Sequence, residues 1–486
     1  MRRTTVALAA LSLFLAGTGT ATAAPADGPQ IPGPVALGNP EFTANAMAPL
    51  KVETDAEWAE FENTLEVVAG YGVDAISVDV WWGDVEGAAD NQFDWAYYDR
   101  IFELITSKGL DLNPILSFHQ CGGNVGDDYT SLLPEWLWPK YAGRSHQGIR
   151  LGPEGLMHRS EQGNHSRETV QGWADQIVMN EYRDFTRAFE DRYGDRYADD
   201  VVEINVSLGP SGELRYPSYN QHDVGTGYPT RGALQSYSPL AIRDFQKTVI
   251  KQYHGLRGVN RAWGTAYRSV DQIQPPADAN AFFTGQDYLD TQYGRDFVDW
   301  YNGSLVDHGE RVLRTVIRTL GDEFPEADIG YKVPGIHWSM TNPVHPRATE
   351  VTTGLIQTSI DVNAWSTGHG YQRIVELANR FDGGPREVVM HFTALEMEDQ
   401  DYPPQYSLAK TLVEWIGEYG NRAGVELKGE NALNGGLYSQ EGWDRIDDAF
   451  ARWGYLGLTV LRAQDVDDGI GAERYAQLID TYGTGD

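Results

Sequence analysis

The chain has 486 residues, of which 38 are basic and 70 acidic, giving a formal net charge of −32. So negative a surface repels phosphate backbones and anionic lipid headgroups, which excludes nucleic acid and membrane surfaces as partners. A neutral polymer stays open, and 14 Trp and 26 Tyr supply flat faces to it, though most large aromatics in any protein are core.

At the N-terminus, Arg2 and Arg3 precede an apolar run from Val6 to Ala16, and Ala21-Thr22-Ala23 offers a small-residue cleavage site. The run is shorter than the ~20 residues that cross a bilayer, and no later segment is apolar enough to do so. Residues 1–23 therefore read as a secretory signal and the protein as exported. Residues 24–47, rich in Pro, Gly and Ala, read as an extended N-terminal arm, and 48–486 as one domain. That length exceeds the roughly 250–300 residues at which cores tend to split, but barrels with long loops pass ~400 residues as single domains. No internal repeat or second composition regime interrupts it.

Seven short apolar runs follow, each closing on a polar residue. AISVDVWWG carries Asp79, and LNPILSFHQCGGNVGD carries His119 and Asp127. VVEINVSLGPSGELRYP ends on Glu213 and Arg215. IGYKVPGIHW gives Lys332 and His337, VVMHFTALEM gives Thr393, AGVELKGENAL gives Glu430 and Asn431, and LGLTVLRAQD gives Arg462. Apolar runs of this kind, alternating with helical stretches, predict a parallel sheet buried on both faces. The predicted architecture is a (β/α)8 TIM barrel, in which functional side chains gather at the carboxyl ends of the strands.

Two glutamates at the ends of two different strands suit hydrolysis of a glycosidic bond, one protonating the leaving oxygen and the other activating water or attacking carbon. The bland alternative is two ordinary surface glutamates. Cys121 is the only cysteine, which rules out an internal disulfide. It reads as a small buried hydrophobe, beside a backbone loosened by Gly122, Gly123 and Gly126. EGAADNQFDW offers Glu86, Asp90 and Asn91, and MNEYRDF offers Glu181 and Asp184 three residues apart on a predicted helix. Oxygen ligands of this type suit calcium; the alternative is a pair of solvated acidic faces.

The motifs VDVWWG, HQCGGNVGD, GPSGELRYPSY, KVPGIHW, FTALEM and GENAL run in order from about Val52 to Arg462, and together they resemble the β-amylase family of glycoside hydrolases. The resemblance implies Glu213 as general acid and Glu430 as general base of an inverting hydrolysis. Inversion asks for carboxyl groups about 6.5–9.5 Å apart, with water between them. It further implies that Asp79, His119 and Asp127 bind the sugar at the non-reducing end. Lys332, His337 and Thr393 would contact the leaving side, with Asn431, Ala432 and Arg462 shaping the pocket. HQCGGNVGD would close over substrate. A structural calcium would sit on Glu86, Asp90, Asn91, Glu181 and Asp184, with Asp184 where the family usually has Glu.

The implied activity is exo-hydrolysis of starch-like α-1,4-glucans to maltose by a secreted monomer with no organic cofactor. Only the helix-like AERYAQLIDTYG follows the last strand, leaving no room for an appended starch-binding domain. The stretch from Arg347 to Val388 looks longer than in typical members. Two rivals remain at this level: a retaining barrel glycosidase on a β-linked polymer, and a glucan-binding protein without turnover.

Overall fold

The computed structural model describes residues 42–123, 127–467 and 469–483. The signal at 1–23 and most of the arm at 24–47 lie outside those residues. The eight barrel strands are β1 (Thr43–Met47), β2 (Ala75–Trp81), β3 (Asp111–Ser117), β4 (Glu203–Val206), β5 (Asp328–Val333), β6 (Val388–Thr393), β7 (Leu427–Glu430) and β8 (Gly457–Val460). They close in the order β1-β8-β7-β6-β5-β4-β3-β2, every pair parallel. Outside them run α1 (Asp55–Gly70), α2 (Ala96–Ser107), α3 (Asp175–Tyr193), α4 (Gln292–Leu320), the short α5 (Gln372–Val375), α6 (Ala409–Ala423), α7 (Gln440–Trp453) and α8 (Gly471–Tyr482).

The boundary expected at residue 47 is corrected, because Thr43–Met47 is the first barrel strand. Its sequence, TANAM, carries only Thr43 of the β-branched and aromatic residues that mark strands. Ala44 and Ala46 are nonetheless fully buried in the main core, so packing between β2 and β8 makes this segment a strand.

The strands are buried on both faces, as expected, but the two faces differ in chemistry. Side chains alternate at period two; one face is apolar and the other mostly polar, with Trp81, Ile115 and Val389 among its apolar members. Ile76, Val78, Val80, Ile204, Val206, Ile329, Val333, Met390, Phe392, Leu427, Leu458 and Val460 pack in the main core. The mostly polar face lines the barrel interior. Lys428 Nζ on β7 lies 2.8 Å from Glu203 Oε2 on β4, and His391 Nε2 on β6 lies 2.6 Å from Glu203 Oε1. Strands β4 and β7 are not neighbours, so these side chains meet only inside the ring. Burial pushes the Glu203 carboxyl up, but His391 and Lys428 outweigh it and hold the group well below the usual range. Gly330 on β5 makes room for this layer, since a Cβ there would come within 2.3 Å of Asn205 Oδ1 and 2.6 Å of Glu203 Oε1.

Between Arg347 and Val388 the chain forms short helical turns tied to one buried cation. Arg347 pairs with Glu350, donates to the Val362 carbonyl, and reaches the His369 carbonyl at 2.8 Å.

Candidate active site

Above the buried layer, at the carboxyl ends of the strands, a second set of polar side chains converges. Strand β4 runs into Ser207-Leu208-Gly209 and then the 3-10 turn Pro210–Gly212. Ser211 takes a left-handed φ of 58° and Gly212 one of 79°. A non-glycine residue there costs of order 1–3 kcal/mol, and Arg215 Nη2 donates to Ser211 Oγ at 3.0 Å, fastening the turn. Leu214 N then bonds the Lys332 carbonyl at 2.8 Å, docking the segment alongside β5. Glu213 is thereby turned to the mouth of the barrel. Its Oε2 accepts from Arg215 Nε at 2.7 Å, and the guanidinium lies 4.1 Å from the Tyr219 ring centre. Burial raises the Glu213 carboxyl above its ordinary range; Arg215 pulls it down without cancelling that effect, and the charge of Glu430 adds to the rise.

Glu430 is the last residue of β7, in register with Thr393 on β6. It is 5 % exposed, and its Oε2 accepts from Lys332 Nζ at 2.5 Å. The two glutamates therefore share one space but differ in surroundings. Each faces a cation, with Arg215 Nε 2.7 Å from Glu213 and Lys332 Nζ 2.5 Å from Glu430, and burial favours the proton on Glu213. The next residues are fixed from behind. Asn431 Oδ1 accepts from Leu461 N at 2.8 Å and Asn431 Nδ2 donates to Leu461 O at 3.3 Å, tying β7 to the end of β8. The Ala432 and Leu433 amides both donate to Glu396, at 3.0 and 2.9 Å.

The other expected residues gather around this pair. Asp79 Oδ1 accepts from Ser117 Oγ at 2.9 Å. Burial raises its carboxyl, while Arg462 and Lys332 oppose the rise. His119 Nδ1 meets Ser207 Oγ at 2.8 Å, and its ring stands edge-on to Trp81 at 5.2 Å. Burial first, then Lys332 and Arg215, push His119 down to about 3, so the ring is neutral. Asp127 is half-buried and near enough to raise both Asp79 and Cys121. Residues 124–126 of the expected closing loop lie outside the described residues. His337 Nδ1 meets Ser407 Oγ at 2.7 Å, and burial brings that ring down to about 4. Thr393 Oγ1 accepts from Gly335 N at 2.8 Å. Arg462 Nη1 donates to the Ala48 carbonyl at 3.2 Å and lies 3.8 Å from Met47 Sδ.

Met47, Ser207, Ser407 and Glu396 belong to the site but were not read from the sequence. Met47 ends a strand that carries no strand signal, yet its Sδ is 3.5 Å from Lys332 Nζ. Glu396 lay in view inside FTALEM, and a buried acid three residues past a strand end was the available cue. The residues expected to hold calcium lie elsewhere, on the outside of the β2–β3 wall. Glu86, Asp90 and Glu181 approach one another there, and burial together with the charges of Asp90 and Glu181 lifts Glu86 to about 7. Asp184 is half-buried on the next turn of α3.

The fold agrees with that of known proteins. The profile of Glycosyl hydrolase family 14 matches residues 45–480. A β-amylase of Bacillus cereus is 37 % identical over 429 residues, covering 88 % of this chain and 72 % of that protein. A β-amylase of Niallia circulans is also 37 % identical, over 88 % of this chain and 68 % of its own length. The crystal structure of the catalytic domain of β-amylase from Paenibacillus polymyxa superposes with a TM-score of 0.78 at 34 % identity, covering 91 % of this chain and 99 % of that one. The chain belongs to glycosyl hydrolase family 14 and is a glycoside hydrolase.

Proposed function

We propose that this family 14 hydrolase cleaves α-1,4-glucosidic bonds of starch-like polysaccharides from their non-reducing ends, releasing β-maltose by single displacement. The observation that carries the reading is a pair of strand-end carboxyl groups close enough to interact, each held by its own cation. Glu213 is raised by burial, and Glu430 is held by the Lys332 ammonium at 2.5 Å. A carboxyl raised in this way suits the proton donor, and the family resemblance assigns Glu430 as the base.

Glu213 gives its proton to the glycosidic oxygen as the C1–O bond breaks. Water on the opposite face of the ring attacks C1 and passes a proton to Glu430, and exchange with solvent then resets both groups. Asp79, His119 and Asp127 bind the terminal glucose. The neutral His119 ring, bonded at Nδ1 by Ser207, offers Nε2 to a sugar hydroxyl. Lys332, His337 and Thr393 hold the leaving side, while Asn431, Ala432 and Arg462 shape the pocket wall. Residues 1–23 direct export, and a single chain supplies every residue the step uses.

The test is the anomer of the first product. Soluble starch digested in an NMR tube should give β-maltose ahead of mutarotation. Initial α-maltose would indicate retention, and long oligosaccharides appearing first would indicate internal cleavage; either result rejects the proposal.

A further inference from the structure

On the outer wall of the barrel, Glu86 follows β2, Asp90 and Asn91 precede α2, and Glu181 lies on α3. Three carboxylates brought together in a partly buried place require a positive charge among them. That charge is already supplied by the chain. The short helix Leu137–Tyr141 delivers Lys140, whose Nζ lies 2.6 Å from Asp90 Oδ2 and 2.7 Å from Glu181 Oε1.

The remaining acceptor positions also have protein donors. Glu86 Oε2 accepts from Trp82 Nε1 at 2.7 Å and Oε1 from Asn91 N at 2.6 Å. Glu181 takes the Tyr141 hydroxyl, and Asp90 Oδ1 takes Asn91 Nδ2 at 3.0 Å. Calcium asks for six to eight oxygens converging at about 2.3–2.6 Å. A dication between Asp90 and Glu181 would stand against the ammonium already there, with strong repulsion at that range. The donor set does not fit calcium.

We propose that Lys140 is the resident cation of this cluster, replacing a metal ion, and that the stability of this chain is independent of calcium. The ammonium can satisfy up to three acceptors, and its Nζ lies over Trp136, 5.0 Å from the ring centre. This role is separate from the chemistry at the barrel mouth.

The test uses the purified full-length protein, metal analysis, and thermal unfolding in EGTA and in millimolar calcium. The wild type should carry less than one calcium per chain and melt at the same temperature in both buffers. K140Q should melt lower in EGTA, and calcium should restore several degrees, since an ion bound only by the folded state raises Tm. K140R should keep the wild-type indifference to calcium. Stoichiometric calcium in the wild type, or a wild-type Tm that climbs with calcium, would overturn the proposal. So would a K140Q protein that melts like the wild type in both buffers. Should K140Q fail to fold, the wild-type and K140R measurements decide the matter.

Discussion

Lys332 Nζ and Glu430 Oε2 stand 2.5 Å apart, joining β5 to β7 across the barrel mouth over 98 positions of sequence. The same lysine's carbonyl receives the Leu214 amide, so one residue holds Glu430 by its side chain and docks the Glu213 segment by its backbone. This shared support places the two carboxyls in one frame.

Removing either carboxyl should therefore stop turnover without unfolding the chain. Glu213→Gln and Glu430→Gln are each expected to lower kcat by roughly 10²–10⁴-fold or more. Circular dichroism should stay unchanged. Steady-state rates on a maltooligosaccharide check this, and near-normal activity in either variant removes that residue from the mechanism.

How much of this was legible beforehand differs by feature. Seven strands announced themselves as apolar runs ending in a polar side chain, because burial against the helices demands Ile, Val and Leu at every second position. The eighth, Thr43–Met47, did not, since small residues between two strands look like a linker. The polar positions within each run, such as Glu203, Lys428 and His391, were hidden for a related reason. Their partners come from strands far apart in sequence, and a pattern read along one strand says nothing about what lies across the barrel. Glu213 and Glu430 stood out through their motifs. Their cation partners were less legible, since Lys332 reaches Glu430 across 98 positions of sequence. Lys140 gave no signal at all, because a lysine in a loop is ordinary until its neighbours are known.

Arg215 bears on where Glu213 titrates. Burial raises Glu213 and Arg215 opposes the rise, so deleting the guanidinium must raise the carboxyl further. A general acid works only while protonated, and activity falls as pH climbs through its pKa. Arg215→Met should thus move the alkaline limb of kcat/KM to higher pH, with a lower maximum because the turn at Ser211 loses its fastening. A pH profile on one short maltooligosaccharide measures it. A limb that stays in place or moves to lower pH would mean that Glu213 is not the group reported there.

Glu396 links the site to stability. Its carboxyl is raised from 4.5 to about 7, chiefly by burial and against the Ala432 and Leu433 amides that favour the charged form. Between those two values the folded state binds more protons than the unfolded one. Stability from this group is thus fully present below pH ~4.5 and is lost as pH rises through ~7, by roughly 3 kcal/mol at most. Glu396→Gln keeps an oxygen acceptor for both amides but cannot ionise. Its unfolding free energy should fall less steeply than the wild type's between pH 5 and 8. Denaturant titrations at the two pH values decide this, and parallel slopes would assign the buried proton elsewhere.

Cys121 invites the opposite expectation from the one its motif suggests. Lying in HQCGGNVGD between His119 and Asp127, it looks like a handle by which a thiol reagent would block the pocket. The side chain is 3 % exposed. Its thiol is pushed up to about 12, by burial first and then by the charges of Asp79 and Asp127. The thiolate is the reactive species, and so high a pKa leaves almost none near neutrality. Sγ also lies 3.5 Å from the Tyr129 carbonyl, an acceptor that favours the protonated form. Native protein treated with iodoacetamide at pH 7 should keep its activity and show no mass increase over hours, whereas urea-unfolded protein should gain one adduct. Rapid alkylation of the native chain with matching loss of kcat would mean that this loop opens often enough to expose the sulfur, and that its buried arrangement is only one of the states the enzyme visits in solution.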